Sequence, residues 1–381
     1  PGRAHRAVLR ERDPLRLGLD GRLELAGSLA DLLADVHAIE IPASVLAVAR
    51  AGAGTNNIPV AKLSQRGIPV FNAPGANANA VKELVLAGLF LAARNICQAW
   101  DYVRKLEGDD HALESAMEQG KKKFVGHELP GRTLGVVGLG AIGVEVANAA
   151  LHLGMKVMGY DPQITVQRAW QLSSGVEQAL SLDDLFARCD AVTVHVPLND
   201  HTRGLVNASR ISLMRKGSAV LNFARGQIVD EAAVLAGLDS GQLSAYVCDF
   251  PTNAVRAHAR VVALPHLGAS TGEAEENCAI MAAETLREFL ENGNVRHSVN
   301  FPEAVLPRAG VSRLAIANAN VPNMVGQIST CLAEARLNIA DLLNKSRGDV
   351  AYTLLDTDAP IGPEVVGKLR AIPGVLSARL I

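Results

Sequence analysis

At 381 residues the chain exceeds one ordinary domain, and a typical size of about 100 to 200 residues per domain predicts two or three. Hydrophobic residues make up 49% of it and aromatics only 4%, so burial must come from Ala, Val, Leu and Ile, which suits helices stacked on parallel strands and an α/β class. With 37 basic against 39 acidic residues the formal charge is -2, which removes the electrostatic reason to expect nucleic acid or a membrane surface and favours a small-molecule partner.

The N-terminus carries Arg3, Arg6, Arg10 and Arg12, but Glu11 and Asp13 interrupt the basic run and no apolar signal core follows, so it reads as a first strand and turn. From Val45 to Val70 short apolar runs alternate with Gly and Pro, predicting strand, turn, helix and strand. Asn79 to Asn95 keeps a helical rhythm through Val81, Leu84, Val85, Gly88, Leu89 and Ala92. Its apolar run Leu84 to Ala93 falls short of the roughly 20 residues that cross a bilayer, and predicts a buried helix. Glu107 to Lys123 is charged and reads as a helix followed by an exposed connection. Strands are then predicted at 133–137, 156–160, 191–196 and 218–222, alternating with helices at 141–153, 181–187 and 208–214. Such alternation means a Rossmann-like, doubly wound parallel sheet. Ser181 with Asp184 forms a capping box, and Asp190 closes a helix-to-strand turn. Strands at 244–249 and 261–264 and a helix at 271–290 complete this half. After Asn292-Gly293-Asn294 and a linker from Pro302 to Pro307, the tail reads β, α, β, β, α, β, the order of a ferredoxin-like module. The cysteines (Cys97, Cys189, Cys248, Cys278, Cys331) are far apart and form no CxxC pair, which predicts no metal site and a reducing compartment, the cytoplasm.

Strand residues Leu134 to Val137 run into Gly138-Leu139-Gly140-Ala141-Ile142-Gly143, a GxGxxG between a strand and an apolar helix. The first Gly permits the tight turn, the second lets backbone approach a pyrophosphate, and the third allows helix and strand to pack closely. Asp161 stands at the end of the next strand, about 20 residues on, where a carboxylate accepts hydrogen bonds from a ribose and repels a 2'-phosphate. NAD is therefore expected over NADP.

Carboxyl ends of strands in such a sheet face the ligand crevice. Arg225, beside Gly226 after strand 218–222, is placed to pair bidentately with a substrate carboxylate. His266, in Pro265-His266-Leu267-Gly268-Ala269-Ser270 after strand 261–264, puts an imidazole in the same crevice. Histidine titrates near neutral pH and suits removal of a hydroxyl proton as hydride leaves the adjacent carbon. Arg225 and His266 are the candidate catalytic residues.

Ala51-Gly52-Ala53-Gly54-Thr55-Asn56-Asn57, Phe71-Asn72-Ala73-Pro74-Gly75-Ala76-Asn77, the GxGxxG, His195-Val196-Pro197-Leu198, Asn222-Phe223-Ala224-Arg225-Gly226 and Pro265 to Ser270 occur in the order of the D-2-hydroxy-acid dehydrogenases. The chain resembles that family from roughly residue 40 to the C-terminus. The resemblance implies NAD-linked oxidation of 3-phospho-D-glycerate to 3-phosphohydroxypyruvate, the entry step of serine synthesis. It also implies a discontinuous, flavodoxin-like substrate domain (1–93 and 274–305), a Rossmann domain (94–273) and a regulatory domain (306–381). Ala53, Gly54 and Asn77 would contact substrate with Arg225 and His266. His195, Val196, Pro197, Thr202, Ala224, Asp249 and Ala269 would line the cofactor beside Gly138, Gly140, Ala141, Ile142, Gly143 and Asp161, and the assembly would be a homodimer or homotetramer.

Two positions depart from the pattern. The family carries a Glu a few residues beyond Asp249, paired with the catalytic His, whereas Asp249-Phe250-Pro251-Thr252-Asn253-Ala254-Val255 offers no such carboxylate. Asn253 is left to orient the ring through its amide, which predicts slower turnover or a shifted pH profile. A phosphate-facing Arg is also replaced, by Leu32 or Leu33, which leaves phosphate recognition to Arg50, to Lys121, Lys122 and Lys123, or to a partner subunit. These departures keep two alternatives open: another small 2-hydroxy acid such as hydroxypyruvate or glyoxylate, or an NAD-binding scaffold of low activity.

Residues 311–381 resemble an ACT domain, an amino-acid-sensing module. Asn318, Asn320 and Asn338 offer donors and acceptors of the kind a zwitterionic amino acid needs, and L-serine is the expected effector. Asn323 stands where a Gly is usual, which is expected to narrow the loop. The bland alternative is a dimerisation module.

Overall fold

The computed structural model describes residues 41–55 and 57–381 and the backbone of Arg6–Arg10. Arg3, Arg12, Leu32, Leu33 and Asn56 lie outside the described residues. The chain divides into two compact units, one made of the residues up to Asn77 with Glu275–Ile381 and the other of Ala78–Ala274.

In the first unit β1 (Arg6–Arg10) pairs antiparallel with β2 (Val45–Arg50), and β2 pairs parallel with β3 (Val70–Phe71). A flavodoxin-like domain would be parallel throughout, so the described part departs from that expectation at β1. Its residues run opposite to β2 in register from Arg6 with Arg50 to Leu9 with Ala47, each chain supplying the other's ladder bonds.

The second unit is built on β4 (Thr133–Val137), β5 (Lys156–Tyr160), β6 (Val176–Gln178), β7 (Ala191–Val194), β8 (Ser218–Asn222), β9 (Leu243–Cys248) and β10 (Val261–Ala263). They form one seven-stranded sheet in the order β10-β9-β8-β7-β4-β5-β6, parallel at every pairing. The order reverses between β4 and β7, which opens a crevice at their carboxyl ends. Both sheet faces are covered, as wholly apolar strands require. One face packs Leu134, Val136, Leu221 and Val247 against helices Ala78–Arg94 and Ala141–His152. The other packs Val137, Val192, Val220 and Tyr246 against Leu185, Ile211 and Val234 of helices Leu182–Arg188, Ala208–Leu213 and Glu231–Asp239.

Several boundaries differ from the sequence reading for local reasons. The helix expected over 79–95 stops at Arg94, because Asn95 takes a left-handed φ of 51°, and a second helix begins at Ile96 and ends at Arg104. Helix 78–94 joins the nucleotide-type sheet instead of the substrate unit, since Val81, Val85, Leu89 and Ala93 are buried against it. Ser181 caps its helix by accepting from the Asp184 N–H at 3.1 Å, but the Asp184 carboxylate accepts from Leu180 N–H, one residue short of a closed capping box. Asp190 ties the turn to β4 by accepting from Thr133 N–H at 2.8 Å. The helix Glu231–Asp239 has no counterpart in the sequence reading; Asp230 caps it by accepting from Ala233 N–H.

In the C-terminal part of the first unit, β11 (Ser312–Ala319), β12 (Ile339–Arg347), β13 (Val350–Thr357) and β14 (Val375–Leu380) form an antiparallel sheet in the order β12-β13-β11-β14. Helices Met324–Glu334 and Pro363–Ala371 cover one face, as βαββαβ connectivity dictates. The other face shares a core with β2 and β3: Ala315, Ala317 and Leu354 meet Ala47, Ala49 and Phe71 through Leu286 and Phe289. Arg313 and Asp356 are both fully buried inside this unit. Arg313 Nε donates to Asp356 Oδ1 at 2.6 Å and Nη2 to Oδ2 at 2.8 Å, while the remaining donors reach Asn292 O, Leu306 O and Pro307 O. Every guanidinium proton is thereby used. Burial alone would push the Asp356 carboxyl up, but the Arg313 bonds and Ala309 N–H outweigh it and hold the group below its ordinary value.

Arg313→Leu would leave the buried Asp356 without its cation and three carbonyls without their donor, and is expected to lower unfolding stability by about 3 to 5 kcal/mol in urea titration. Because the folded-state pKa is depressed, the stability Asp356 contributes is present above the ordinary carboxylate pKa and is lost as pH falls toward the folded value. Wild-type stability should therefore drop on acidification, and the Arg313→Leu variant should show a flatter acid limb.

Candidate functional site

The site begins at the turn after β4. Gly138 has a φ of 91°, and a Cβ there would sit 2.7 Å from His195 O and 2.8 Å from Val196 Cγ1. A Cβ on Gly143 would overlap the Gly138 carbonyl, so the helix starts against the turn only because position 143 has no side chain. Beside Gly140 nothing lies within 4 Å of where a Cβ would be, leaving open space at the helix N-terminus. These three positions satisfy the steric demands of a bound pyrophosphate. Ala141 opens that helix, and Ile142 packs against the core behind it.

Asp161 follows β5 and reaches back to the turn after β4. Its Oδ2 accepts from Leu139 N–H at 2.8 Å and its Oδ1 from Gln163 N–H at 2.9 Å, which fixes the carboxylate while leaving each oxygen a free lone pair. His195 follows β7, with Nε2 2.9 Å from Thr193 Oγ1. Burial pushes its pKa down to about 3, so the ring is neutral at physiological pH. Thr202 donates to Pro197 O at 2.5 Å and accepts from Asn199 N–H, closing the loop that carries Val196 and Pro197.

Beyond β8, the buried Asn222 holds the next loop: its Nδ2 donates to Arg225 O at 2.9 Å and its Oδ1 accepts from Ala224 N–H at 3.1 Å. Arg225 donates to Ala224 O at 2.6 Å, and partial burial lowers its pKa from the ordinary arginine value. Beyond β9, Asp249 is 1% exposed, and its carboxylate accepts from Leu267 N–H at 2.7 Å and Gly268 N–H at 2.8 Å. Its carbonyl also accepts from His266 N–H at 3.0 Å. This explains how His266 holds a left-handed φ of 57°: its own N–H and those of the two residues after it are anchored to Asp249. Ala269 follows in the same loop, half-buried. Phe250 lies against both candidate catalytic side chains, with its ring 4.5 Å from the His266 ring and 5.5 Å from Arg225 Cζ.

Sequence reasoning missed the roles of Asn222 and Phe250. The signal for Asn222 was an amide ending an otherwise apolar strand; for Phe250 there was none beyond adjacency to Asp249. Asn253, expected to orient the imidazole, instead accepts from Arg256 Nε at 2.9 Å as part of its own helical turn.

Ala53, Gly54 and Asn77 belong to the first unit. Asn72 Nδ2 donates to Ala53 O at 2.6 Å and Arg50 donates to Gly54 O, so both residues of the loop are held by their carbonyls. Asn77 Oδ1 is buried with no partner, an acceptor available to a ligand donor.

In the C-terminal module a cavity of about 160 Å³ is lined by Asn318, Asn320, Asn323 and Asn344 among others. Asn318 Oδ1 is buried there without a partner, while its Nδ2 donates to Ala319 O. Asn338 is not in this lining; its amide donates to Asp358 Oδ2 at 3.2 Å. Asn323 takes the left-handed conformation, φ 66°, that Asn tolerates best after Gly, and a Cβ at Gly326 would overlap its Oδ1, so the amide fits where it does because position 326 has no side chain.

A switch-point glycine turn, a carboxylate at the end of β5 and a basic and an imidazole side chain beyond β8 and β10 fit a dinucleotide-dependent dehydrogenase. The profile of the "D-isomer specific 2-hydroxyacid dehydrogenase, NAD binding domain" matches residues 86–268. The D-3-phosphoglycerate dehydrogenase of Haemophilus influenzae is 33% identical over 355 residues, covering 90% of this chain and 83% of that protein. Among solved structures, apo D-mandelate dehydrogenase of Rhodotorula graminis aligns with a TM-score of 0.62 at 27% identity, over 71% of this chain and 78% of that one. The NAD+-bound 3-phosphoglycerate dehydrogenase of Entamoeba histolytica aligns with a TM-score of 0.54 at 29% identity, over 68% and 76%. The chain belongs to the D-isomer specific 2-hydroxyacid dehydrogenase family, and its cofactor is NAD.

Asp161→Ser would remove the charge that repels a 2'-phosphate and the acceptor for Leu139 N–H. NAD affinity should fall about tenfold while NADP binding improves, both read by fluorescence titration with the reduced cofactors.

Proposed function

We propose that this enzyme oxidises 3-phospho-D-glycerate to 3-phosphohydroxypyruvate, the first step of L-serine biosynthesis. The observation that carries the reading is the convergence of Arg225 and His266 on one aromatic ring at the same edge of the sheet as the dinucleotide turn. The names of the relatives supply the substrate. The working division is a substrate domain, an NAD domain that takes in helix 78–94, and a regulatory domain from residue 306 to 381.

Arg225 holds the substrate carboxylate as a bidentate pair, which fixes the C2 hydroxyl with respect to His266. The imidazole accepts the proton from the C2 hydroxyl oxygen as the carbonyl forms. NAD bound over Gly138, Gly140 and Gly143 supplies the acceptor for the C2 hydride. Asp249 keeps the His266 loop in place. Asn318 and Asn320 take L-serine, with the unpartnered Asn318 Oδ1 accepting from its ammonium. A second copy of the chain covers the apolar side chains of Ile96, Trp100 and Val103, of which Trp100 is 61% exposed. The compartment is the cytoplasm: all five cysteines are free, and burial pushes Cys189 up to about 12 and Cys248 up to about 11, which keeps both as thiols.

The deciding assay follows NADH absorbance with 3-phosphoglycerate beside hydroxypyruvate, glyoxylate and other 2-hydroxy or 2-keto acids. Turnover confined to the unphosphorylated acids would replace the substrate, and turnover with none would leave a cofactor-binding scaffold. Arg225→Lys should lower kcat/KM about a hundredfold, and His266→Asn, chosen because Asn tolerates left-handed backbone, about a thousandfold. Calorimetry with L-serine should give heat that Asn318→Ala abolishes; no heat with the wild type would reduce the module to dimerisation. Trp100→Asp should lower the sedimentation mass to that of one chain.

A further inference from the structure

The stretch from Phe250 to Val255 contains no carboxylate, so the group that packs between the two active side chains is neutral. Phe250 is half-buried, its ring tilted 47° to that of His266 at 4.5 Å between centroids, and the guanidinium carbon of Arg225 lies 5.5 Å from its centroid. An aromatic face attracts a cation, and a tilted aromatic pair has a preferred geometry that free rotation of either ring would lose. The backbone that carries the ring is itself held. Asp249 before it is pinned to Leu267 and Gly268, and a Cβ at Gly226 would come within 3.3 Å of Phe250 O, so the Arg225 loop runs against the same backbone.

We infer that Phe250 is a positioning residue: one ring, contacting both partners, sets the separation and tilt of the Arg225 guanidinium and the His266 imidazole in a site with no charged partner from Phe250 to Val255. The role rests on the dehydrogenase reading above, and it assigns to an aromatic contact the orientation that Asn253 does not provide. Phe250 transfers no proton and needs no ionisation of its own.

The test uses the full chain as wild type, Phe250→Leu and Phe250→Tyr, with two readouts. In steady state Phe250→Leu should lower kcat about tenfold with KM for NAD and for the hydroxy acid within twofold, and Phe250→Tyr should stay within threefold of wild type. Independently of turnover, carbethoxylation of His266 by diethyl pyrocarbonate, followed by peptide mass spectrometry, should be at least threefold faster in Phe250→Leu and unchanged in Phe250→Tyr. An unaltered His266 modification rate in Phe250→Leu overturns the inference whatever the kinetics, as does an unaltered kcat. A fall in kcat shared by Phe250→Tyr, or accompanied by an equal loss of NADH affinity, also overturns it by showing general disruption. If the wild type turns over no hydroxy acid the functional reading fails, and the modification rates still decide whether the ring covers His266.

Discussion

The helix 141–152 can begin where it does only because the Gly138 carbonyl occupies the space that a side chain at position 143 would fill. That contact aims the positive end of the helix at the crevice where strand order reverses. Everything chemical in the second unit is then a matter of which strand ends beside it. Because all seven strands run the same way, Asp161, His195, Arg225, Asp249 and His266 emerge on one edge without any individual loop having to reach far. One steric exclusion thus organises residues that span more than a hundred positions of sequence.

Polar side chains near that edge spend most of their bonding capacity on backbone. Asn222 satisfies two groups of the Arg225 loop, Asp249 three of the His266 loop when its carbonyl is included, and Asp161 two of the turns it faces. A loop fixed by charge-assisted bonds from a buried carboxylate resists the small displacements that would misalign a reacting pair. Phe250 adds a softer, aromatic contact to both active side chains.

Much of this was legible in the sequence because the code involved is local. Alternating apolar runs located most of the strands of the parallel sheet, and GxGxxG with Asp161 located the dinucleotide turn, since both depend on spacing alone. What was not legible depends on conformation or on distant neighbours. Nothing in the helical rhythm of 79–95 shows that Asn95 turns left-handed, and a single residue in that conformation ends a helix. Asn344, which lines the C-terminal cavity, sits on β12, and only the antiparallel pairing of β12 with β13 brings it near Asn318 on β11. Asn338, one residue before β12, looked equivalent by residue type and is turned to Asp358 instead. The close approach of the Asn323 amide to Gly326 is likewise visible only when both are seen in one helical turn.

The Arg313–Asp356 pair has a consequence for how this protein could have been assembled in evolution. A module joined by a slack tether can be gained or lost as a bead, with little effect on its neighbour. Here a cation from the first strand of the module is the internal strut for the carbonyls of Asn292, Leu306 and Pro307, and Tyr352 supplies another by donating to Gly293 O. Excising the module would strip the preceding segment of its own framework, so the two have to be inherited, and to drift, as one piece.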